Sequence, residues 1–297
     1  MTKGISILAI GSSAYGRWAV NFAVSLRFHS PDVNIQLICD EANLIDTARF
    51  HHLFDLITKI EKEEYTNDKG ELYPAKIKLT LYKHFAYDHT AYFDVDAVVI
   101  KDVTPLFELE GNIYTDVQGV HMISEGNLFD HLKWAKPETI WNHFGLNEDS
   151  KLPAINSSFV LIKKCEQIEK LYSTALELLN ENKLPTEKYW HKWGRGNGRD
   201  ADELYFNVAC AKLNLIPEKL VAVYFRTIVE PGMAIPLVEL EKKHYAIGLF
   251  GDTRSLHSSI KEYYNRLMGN YWRKIIVSDF YNKAEILLQG KIVSVRT

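Results

Sequence analysis

The sequence is poor in cysteine. Cys39, Cys165 and Cys210 are its only three, odd in number and without the close spacing of metal ligands. That excludes a disulfide-stapled secreted scaffold and predicts reduced, mostly buried thiols. Long apolar runs are also missing. The opening "MTKGISILAIGSS" turns to Gly and Ser after a run too short for a bilayer, and no small-residue cleavage site follows it. A cytoplasmic protein is therefore expected. Neither sign of charge predominates: 35 Lys and Arg face 38 Asp and Glu, a formal net charge of −3. This argues against a wholesale nucleic-acid-binding surface but leaves room for a local basic patch. No internal repeat, low-complexity tract or clear linker is present. What is there, 297 residues with 46% hydrophobic and 25% charged, suits one large α/β domain or two small ones.

Hydrophobic periodicity places the elements. "GISILAI" (4–10) reads as a buried strand, followed by a Gly/Ser turn and a helix with Trp18, Phe22 and Leu26 on one face. "SPD" breaks that helix, and "VNIQLICD" (33–40) is the next strand, ending on an acid. This is a β-α-β unit, the start of a mostly parallel sheet with helices on its faces. A short third strand is expected at 54–61, a polar loop at 62–71 and a helix from about Ala75 to Tyr87. Thr104 is the expected N-cap, with Pro105 at the first helical position. Residues 111–152 are rich in aromatics and His and give no clear order of elements. A strand follows at 153–164, a strongly amphipathic helix at 165–182, and a helix at 200–213 whose Asp200 and Glu203 are spaced as a capping box. Later strands are expected at 219–225 and 244–250, and the last forty or so residues read as two amphipathic segments.

The chemistry gathers at "TAYFDVDAVVIKD" (90–102). Asp94 and Asp96 sit in an apolar strand with no Lys or Arg nearer than Lys101. Residues i and i+2 of a strand share a face, so both carboxylates can aim at one point where the strand turns. Converging carboxylates repel unless a cation or proton lies between them. An all-oxygen pair suits Mg²⁺ or Mn²⁺ held together with substrate phosphates. The bland alternative is a pair of solvated turn residues.

Two families place Asp-x-Asp directly after an apolar strand. "FDVDAVV" resembles the opening motif of haloacid-dehalogenase-type phosphohydrolases, and "GLFGDT" (248–253) mimics their Gly-Asp motif. Their motif, however, sits on the first core strand, whereas here a complete β-α-β unit precedes it, and no acid follows Asp252 at the expected distance. The stretch from 1 to about 250 resembles the GT-A-fold nucleotide-sugar glycosyltransferases, specifically the glycogenin-like, retaining family 8. Four blocks carry the resemblance: "ISILAIGSSAYGRWAVNFAVSLR", "PAKIKLTLYKHFAYDHTAYFDVDAVVIKDVTPLFE", "INSSFVLIKK" and "DADELYFN".

The resemblance implies an α/β GT-A domain over 1–255, Rossmann-like with a mostly parallel central sheet, and a helical C-terminal extension over 256–297. It makes Asp94 and Asp96 ligands of Mn²⁺ or Mg²⁺ bridging the donor diphosphate, with Val95 among the donor-binding residues. Gly11, Ser12, Ser13 and Tyr15 would lie against the nucleoside, Asp40 at the base or ribose, and Lys76 or Lys78 near the phosphates. Asn156 and Ser157 would touch the donor sugar, Asp202 its hydroxyls, and Asn156, Asp202 and Glu203 would form the catalytic set.

The chain departs from the family in three places. Its late motif is "HYAIGLFGDTR", in which His244, the implied third metal ligand, and Gly248 are one residue too far apart. Arg254 stands in for the family's Lys, and His257 is a competing ligand. Glu203 replaces the usual Gln, and "NSS" adds Ser158 where a Gly is usual. Separately, "EKYWHKWGRGNGR" (187–199) is a Gly-rich basic loop whose Arg195 and Arg199 could close over a diphosphate or hold an acceptor. The function expected is metal-dependent transfer of a sugar from a nucleotide-sugar donor, UDP-linked, with retention. The acceptor could be a glycan, lipid-linked saccharide, protein or modified nucleobase. The alternatives are a phosphohydrolase and a nucleotide-sugar-binding protein without catalysis.

Overall fold

A computed structural model describes residues 1–122, 137–181, 184, 202–224, 237–248, 267–271, 284–288 and 291–295. In chain order the elements are β1 (Lys3–Ala9), α1 (Ser13–His29), β2 (Asn34–Cys39), α2 (Glu41–Asp46), β3 (Leu56–Lys59), α3 (Lys62–Tyr65), α4 (Pro74–His84), β4 (His89–Asp94) and β5 (Ala97–Val99). They continue with β6 (Ile113–His121), α5 (Pro137–Phe144), β7 (Leu152–Lys163), α6 (Glu166–Glu181), α7 (Asp202–Lys212) and β8 (Glu218–Lys219). Last come β9 (Val223–Tyr224), α8 (Leu237–Lys243), β10 (Ala246–Gly248), β11 (Ala284–Leu288) and β12 (Lys291–Val295). Contacts divide the chain into two compact units, one of residues 1–60, 86–110 and 221–297, the other of residues 61–85 and 111–220.

In the first unit β3, β2, β1 and β4 lie side by side, all parallel. Parallel strands covered on both faces read as continuous apolar runs, which is why β1 is buried from Gly4 onward. A polar ladder crosses this sheet: Ser6 Oγ donates to Gln36 Oε1 at 2.7 Å, and Gln36 Nε2 donates to Thr58 Oγ1 at 2.8 Å. Because each member is paired, the ladder can fix strand register at little cost. The Tyr87 ring lies against Gly4 so closely that a β-carbon there would overlap it. Helix α1 covers the sheet, with Phe22 against Phe93 at 5.4 Å between ring centroids. Ser25 Oγ accepts from the Val99 N–H at 3.0 Å, tying β5 to this helix. Beyond Asp96 the chain leaves the parallel sheet, and β5 joins β10 and β9 in a second, three-stranded sheet.

In the second unit β6 pairs antiparallel with β7 and parallel with β8. Helices α4, α6 and α7 pack together, with α7 against β7. Tyr82 stacks on Tyr172 at 5.5 Å, and Tyr172 meets Phe206 edge-on at 5.3 Å. Residues 157–159 of β7 bulge out of the ladder, because Thr115 pairs with Val160 while the next residue, Asp116, pairs with Asn156.

The mixed α/β architecture with a mostly parallel sheet and flanking helices is the expected one. Cys39 and Cys210 are buried and all three thiols are free; burial, then the nearby Asp40 and Glu41 charges, pushes Cys39 up to about 12. Three local expectations are revised. Thr104 does not cap a helix; its hydroxyl donates to Asp102 Oδ2 at 2.5 Å ahead of a 3₁₀ turn with Val103 at the cap. The segment at 219–225 is split into β8 and β9 rather than being one strand. The extension over 256–297, expected to be helical, has helical residues 267–271 and also the antiparallel pair β11–β12. The expected boundary at 255/256 and the Asp200 capping position lie outside the described residues.

Candidate active site

The first unit gathers its polar residues where its parallel strands end. Leu8 of β1 pairs with Asp94 of β4, and Ala9 pairs with Cys39 of β2. The turn at Gly11, Asp40 and Asp94 therefore all stand at the carboxyl edge of adjacent strands, where open α/β sheets bind ligands. Gly11 has φ +82°, a left-handed conformation that favours glycine. Its N–H donates to Asp40 Oδ2 at 2.6 Å. The other oxygen of Asp40 accepts from Asn43 N at 2.9 Å and Asn43 Nδ2 at 2.8 Å, capping α2. Asn43 Oδ1 in turn accepts from the Gly16 N–H at 2.7 Å.

At 4% exposure, Asp40 has both oxygens engaged in holding the Gly11 turn and the start of α2. Asp40→Ala is expected to lower stability by about 2 kcal/mol, a lost helix cap plus an unsatisfied N–H. A fall in Tm checks it. Ser12 caps α1, and Ser12 and Ser13 are exposed. Half-buried Tyr15 meets Trp18 edge-on at 6.4 Å.

Asp94 is the last residue of β4, and Val95 and Asp96 form the turn into β5. The Tyr92 hydroxyl donates to Asp94 Oδ1 at 2.6 Å, which fixes that carboxylate. Asp96 is 5% exposed and Val95 3%. Burying a carboxylate is costly without a compensating charge or donors.

The strand register moves His244 away from this pair. β10 runs antiparallel to β5, with Gly248 opposite Ala97 and Ala246 opposite Val99. The Gly248 end thus adjoins Asp96, and His244 falls at the Lys101 end of β5. There His244 Nδ1 donates to the Val221 carbonyl at 3.0 Å, with the Tyr224 ring beside it at 5.2 Å. Among the described residues no group of three His, Cys, Asp or Glu side chains could hold a metal. In this register His244, the implied third metal ligand, stands at the far end of β5 from Asp96. Asp94 and Asp96 remain as candidate ligands, and two carboxylates suffice for Mg²⁺ or Mn²⁺ when substrate phosphates and water complete the shell.

In the second unit, the β7 bulge and the first turn of α7 form a polar cluster. Ser157 Oγ donates to Asp202 Oδ2 at 2.7 Å, and the Ser157 N–H donates to Glu203 Oε1 at 3.2 Å. Lys78 Nζ approaches Ser157 Oγ at 3.4 Å. Lys76 does not take part: its ammonium donates to the Glu63 and Thr66 carbonyls at 2.6 and 3.1 Å. Of the two lysines weighed for the site, Lys78 is the one beside the acids. Glu203 binds the bulge backbone. Arg195, Arg199, Arg254 and His257 lie outside the described residues.

No protein-family model matches the chain, and the search of curated proteins gives no match. Solved structures do match. The apo bifunctional glycosyltransferase WbbM aligns with a TM-score of 0.54 at 11% identity, over 84% of this chain and 46% of WbbM. An active-site Gln-to-Glu mutant of LgtC aligns with a TM-score of 0.53 at 13% identity, over 89% of this chain and 95% of LgtC. The galactosyltransferase LgtC in complex with donor and acceptor sugar analogs gives 0.51 at 14%, over 91% and 99%. The chain thus spans just under half of WbbM and nearly all of LgtC. It has the GT-A fold of these glycosyltransferases.

Proposed function

We propose that this chain is a metal-dependent glycosyltransferase taking a sugar from a nucleotide-sugar donor, with uridine diphosphate as the leaving group and retention at the anomeric carbon. The observation that carries the reading is in the first unit: the Gly11 turn and Asp94 stand together at the carboxyl edge of the parallel strands, with Asp96 in the turn that follows. Two hard oxygen ligands at that edge suit a diphosphate-bound Mn²⁺ or Mg²⁺. When bound, such an ion supplies positive charge against the departing nucleoside diphosphate. Uridine and retention rest on the resemblance of the four sequence blocks. The fold shared with LgtC, solved with donor and acceptor sugar analogs, agrees with a donor site.

The chain's own residues then have distinct tasks. Tyr92 orients Asp94, and Asp40 holds the Gly11 turn against which the nucleoside would lie. In the second unit Asp202 accepts hydrogen bonds from sugar hydroxyls, a role that suits an ionised carboxylate, and Lys78 supplies a cation beside it. Lys78→Ala is expected to lower turnover about tenfold, one charge-assisted hydrogen bond, whereas Lys76→Ala lowers only stability, by about 1 kcal/mol. Steady-state rates and melting curves of the two variants separate these outcomes. His244→Ala is expected to leave Mn²⁺-dependent nucleotide binding within about twofold of wild type, since variation outside a site rarely exceeds a few tenths of a kcal/mol. His257 is then the remaining candidate for a third ligand. A thermal-shift panel of nucleotide sugars with Mn²⁺ tests the donor reading, because a ligand that binds the native state raises its stability. A UDP-sugar is expected to give the largest shift; no shift with any nucleotide sugar would refute the reading.

A further inference from the structure

Helix α7 buries an amide that no side chain or backbone group meets. Every residue from Leu204 to Ala211 is buried, and Asn207 among them is 0% exposed. Among the described residues neither Asn207 Oδ1 nor Asn207 Nδ2 has a hydrogen-bond partner. Leaving an acceptor and two donors unmet in a core is costly, and an apolar side chain of similar shape would avoid that cost. Buried polar groups are normally met by protein or by an internal water. With no exposed surface, Asn207 is out of reach of anything larger than a water.

Helix geometry says where that water lies. Asn207 follows Glu203 by four residues, so the two side chains stand one above the other on one face of α7. Helical side chains lean toward the N-terminus, which carries the Asn207 amide toward the turn that holds Glu203. The amide does not bond Glu203 directly, and one water is the smallest bridge between them. On its other side Glu203 Oε1 accepts from the Ser157 N–H at 3.2 Å, the long end of the usual range. A carboxylate only accepts, and a water held by Asn207 has a proton to give it.

We infer that Asn207 holds an internal water beneath Glu203 and is a positioning residue for that carboxylate. The water donates to Glu203 from the α7 side while the bulge N–H donates from the β7 side, so the acid is kept in one place. The resembling family has glutamine here, whose amide carries its own donors; glutamate brings none, and the water supplies one. The water itself rests on the buried amide. Its effect on turnover rests on the donor reading above, which sets the first turn of α7 at the sugar.

Asn207→Leu keeps the branching of the side chain and removes the amide. Water-to-amide cross-relaxation in ¹⁵N-labelled protein reads the water without any ligand. The Asn207 side-chain amide, assigned by its loss in Asn207→Leu, is expected to show a cross-peak to a long-lived water. In metal-dependent UDP release from a UDP-sugar, Asn207→Leu should lower kcat about fivefold, the share of one hydrogen bond, and leave KM within about twofold. In a Glu203→Gln background the same change should alter kcat by less than about twofold, because residues that act as a unit do not add. Asn207→Val, apolar and smaller, serves if the leucine variant folds poorly. An Asn207 amide without a water cross-peak, an unchanged kcat, or the same fivefold loss in both backgrounds would overturn the inference. If wild type turns over no UDP-sugar, the donor reading and the effect on turnover fail together, and the cross-peak still decides the water.

Discussion

Asp94→Asn or Asp96→Asn will weaken Mn²⁺-dependent binding of a nucleoside diphosphate at least about 100-fold while the protein stays folded. Changes to groups that merely support a metal ligand already cost about 10–100-fold in affinity, so loss of a ligand charge should cost at least as much. The two variants should differ in stability. Asp94 is partly exposed and held by the Tyr92 hydroxyl at 2.6 Å. Asp96 is 5% exposed, so its carboxylate bears the larger desolvation cost of the two, which a bound cation would lower. Asp96→Asn should lose the rise in melting temperature that metal and nucleotide add to wild type. Calorimetric titration with and without Mn²⁺, beside melting curves, checks both parts.

Asp202→Asn will lower turnover about 10–100-fold with much less effect on UDP binding. Hydrogen bonds to a charged acceptor contribute about 1.5–3 kcal/mol each, and the amide that replaces the carboxylate supplies a donor where an acceptor was needed. Asp202 also accepts from Ser157 Oγ at 2.7 Å, with Lys78 at 3.4 Å from the same oxygen. The substitution thus removes the negative charge from this cluster and leaves Lys78 as its nearby cation. Rates with a UDP-sugar, compared with UDP affinity, separate this from general loss of the site. A UDP affinity that falls as far as the rate would place Asp202 at the nucleotide rather than at the sugar.

Much of the frame was legible in the sequence because it rests on local patterns. The unbroken apolar run of β1, the Gly11 turn and the acid after β2 give the β-α-β start without reference to distant contacts. Asp-x-Asp stood out because two acids interrupt an apolar strand. What was not legible depends on packing or register. Lys76 and Lys78 lie two residues apart on α4, about 200° apart around a helix, and only the packing of α4 decides which one meets the acids. His244 looked like a ligand by its place in a motif, but the pairing of two three-residue strands carries it to the other end of β5. Asp40, marked as a base or ribose contact, also accepts from the Gly11 and Asn43 N–H groups, bonds that only the folded loop brings together. The bulge at 157–159 is set by Thr115 across the ladder, and "NSS" alone carries no sign of it.

The central claim, sugar transfer from a nucleotide donor at the Asp94–Asp96 edge, is tested most directly by UDP release. Purified protein is incubated with a panel of UDP-sugars, with Mn²⁺ or with chelator, using water as the fallback acceptor. The account predicts slow UDP release from one UDP-sugar that requires the metal and is lost in Asp94→Asn and Asp96→Asn. Hydrolysis of a simple aryl phosphate by the same residues, with no UDP-sugar consumed, would contradict it.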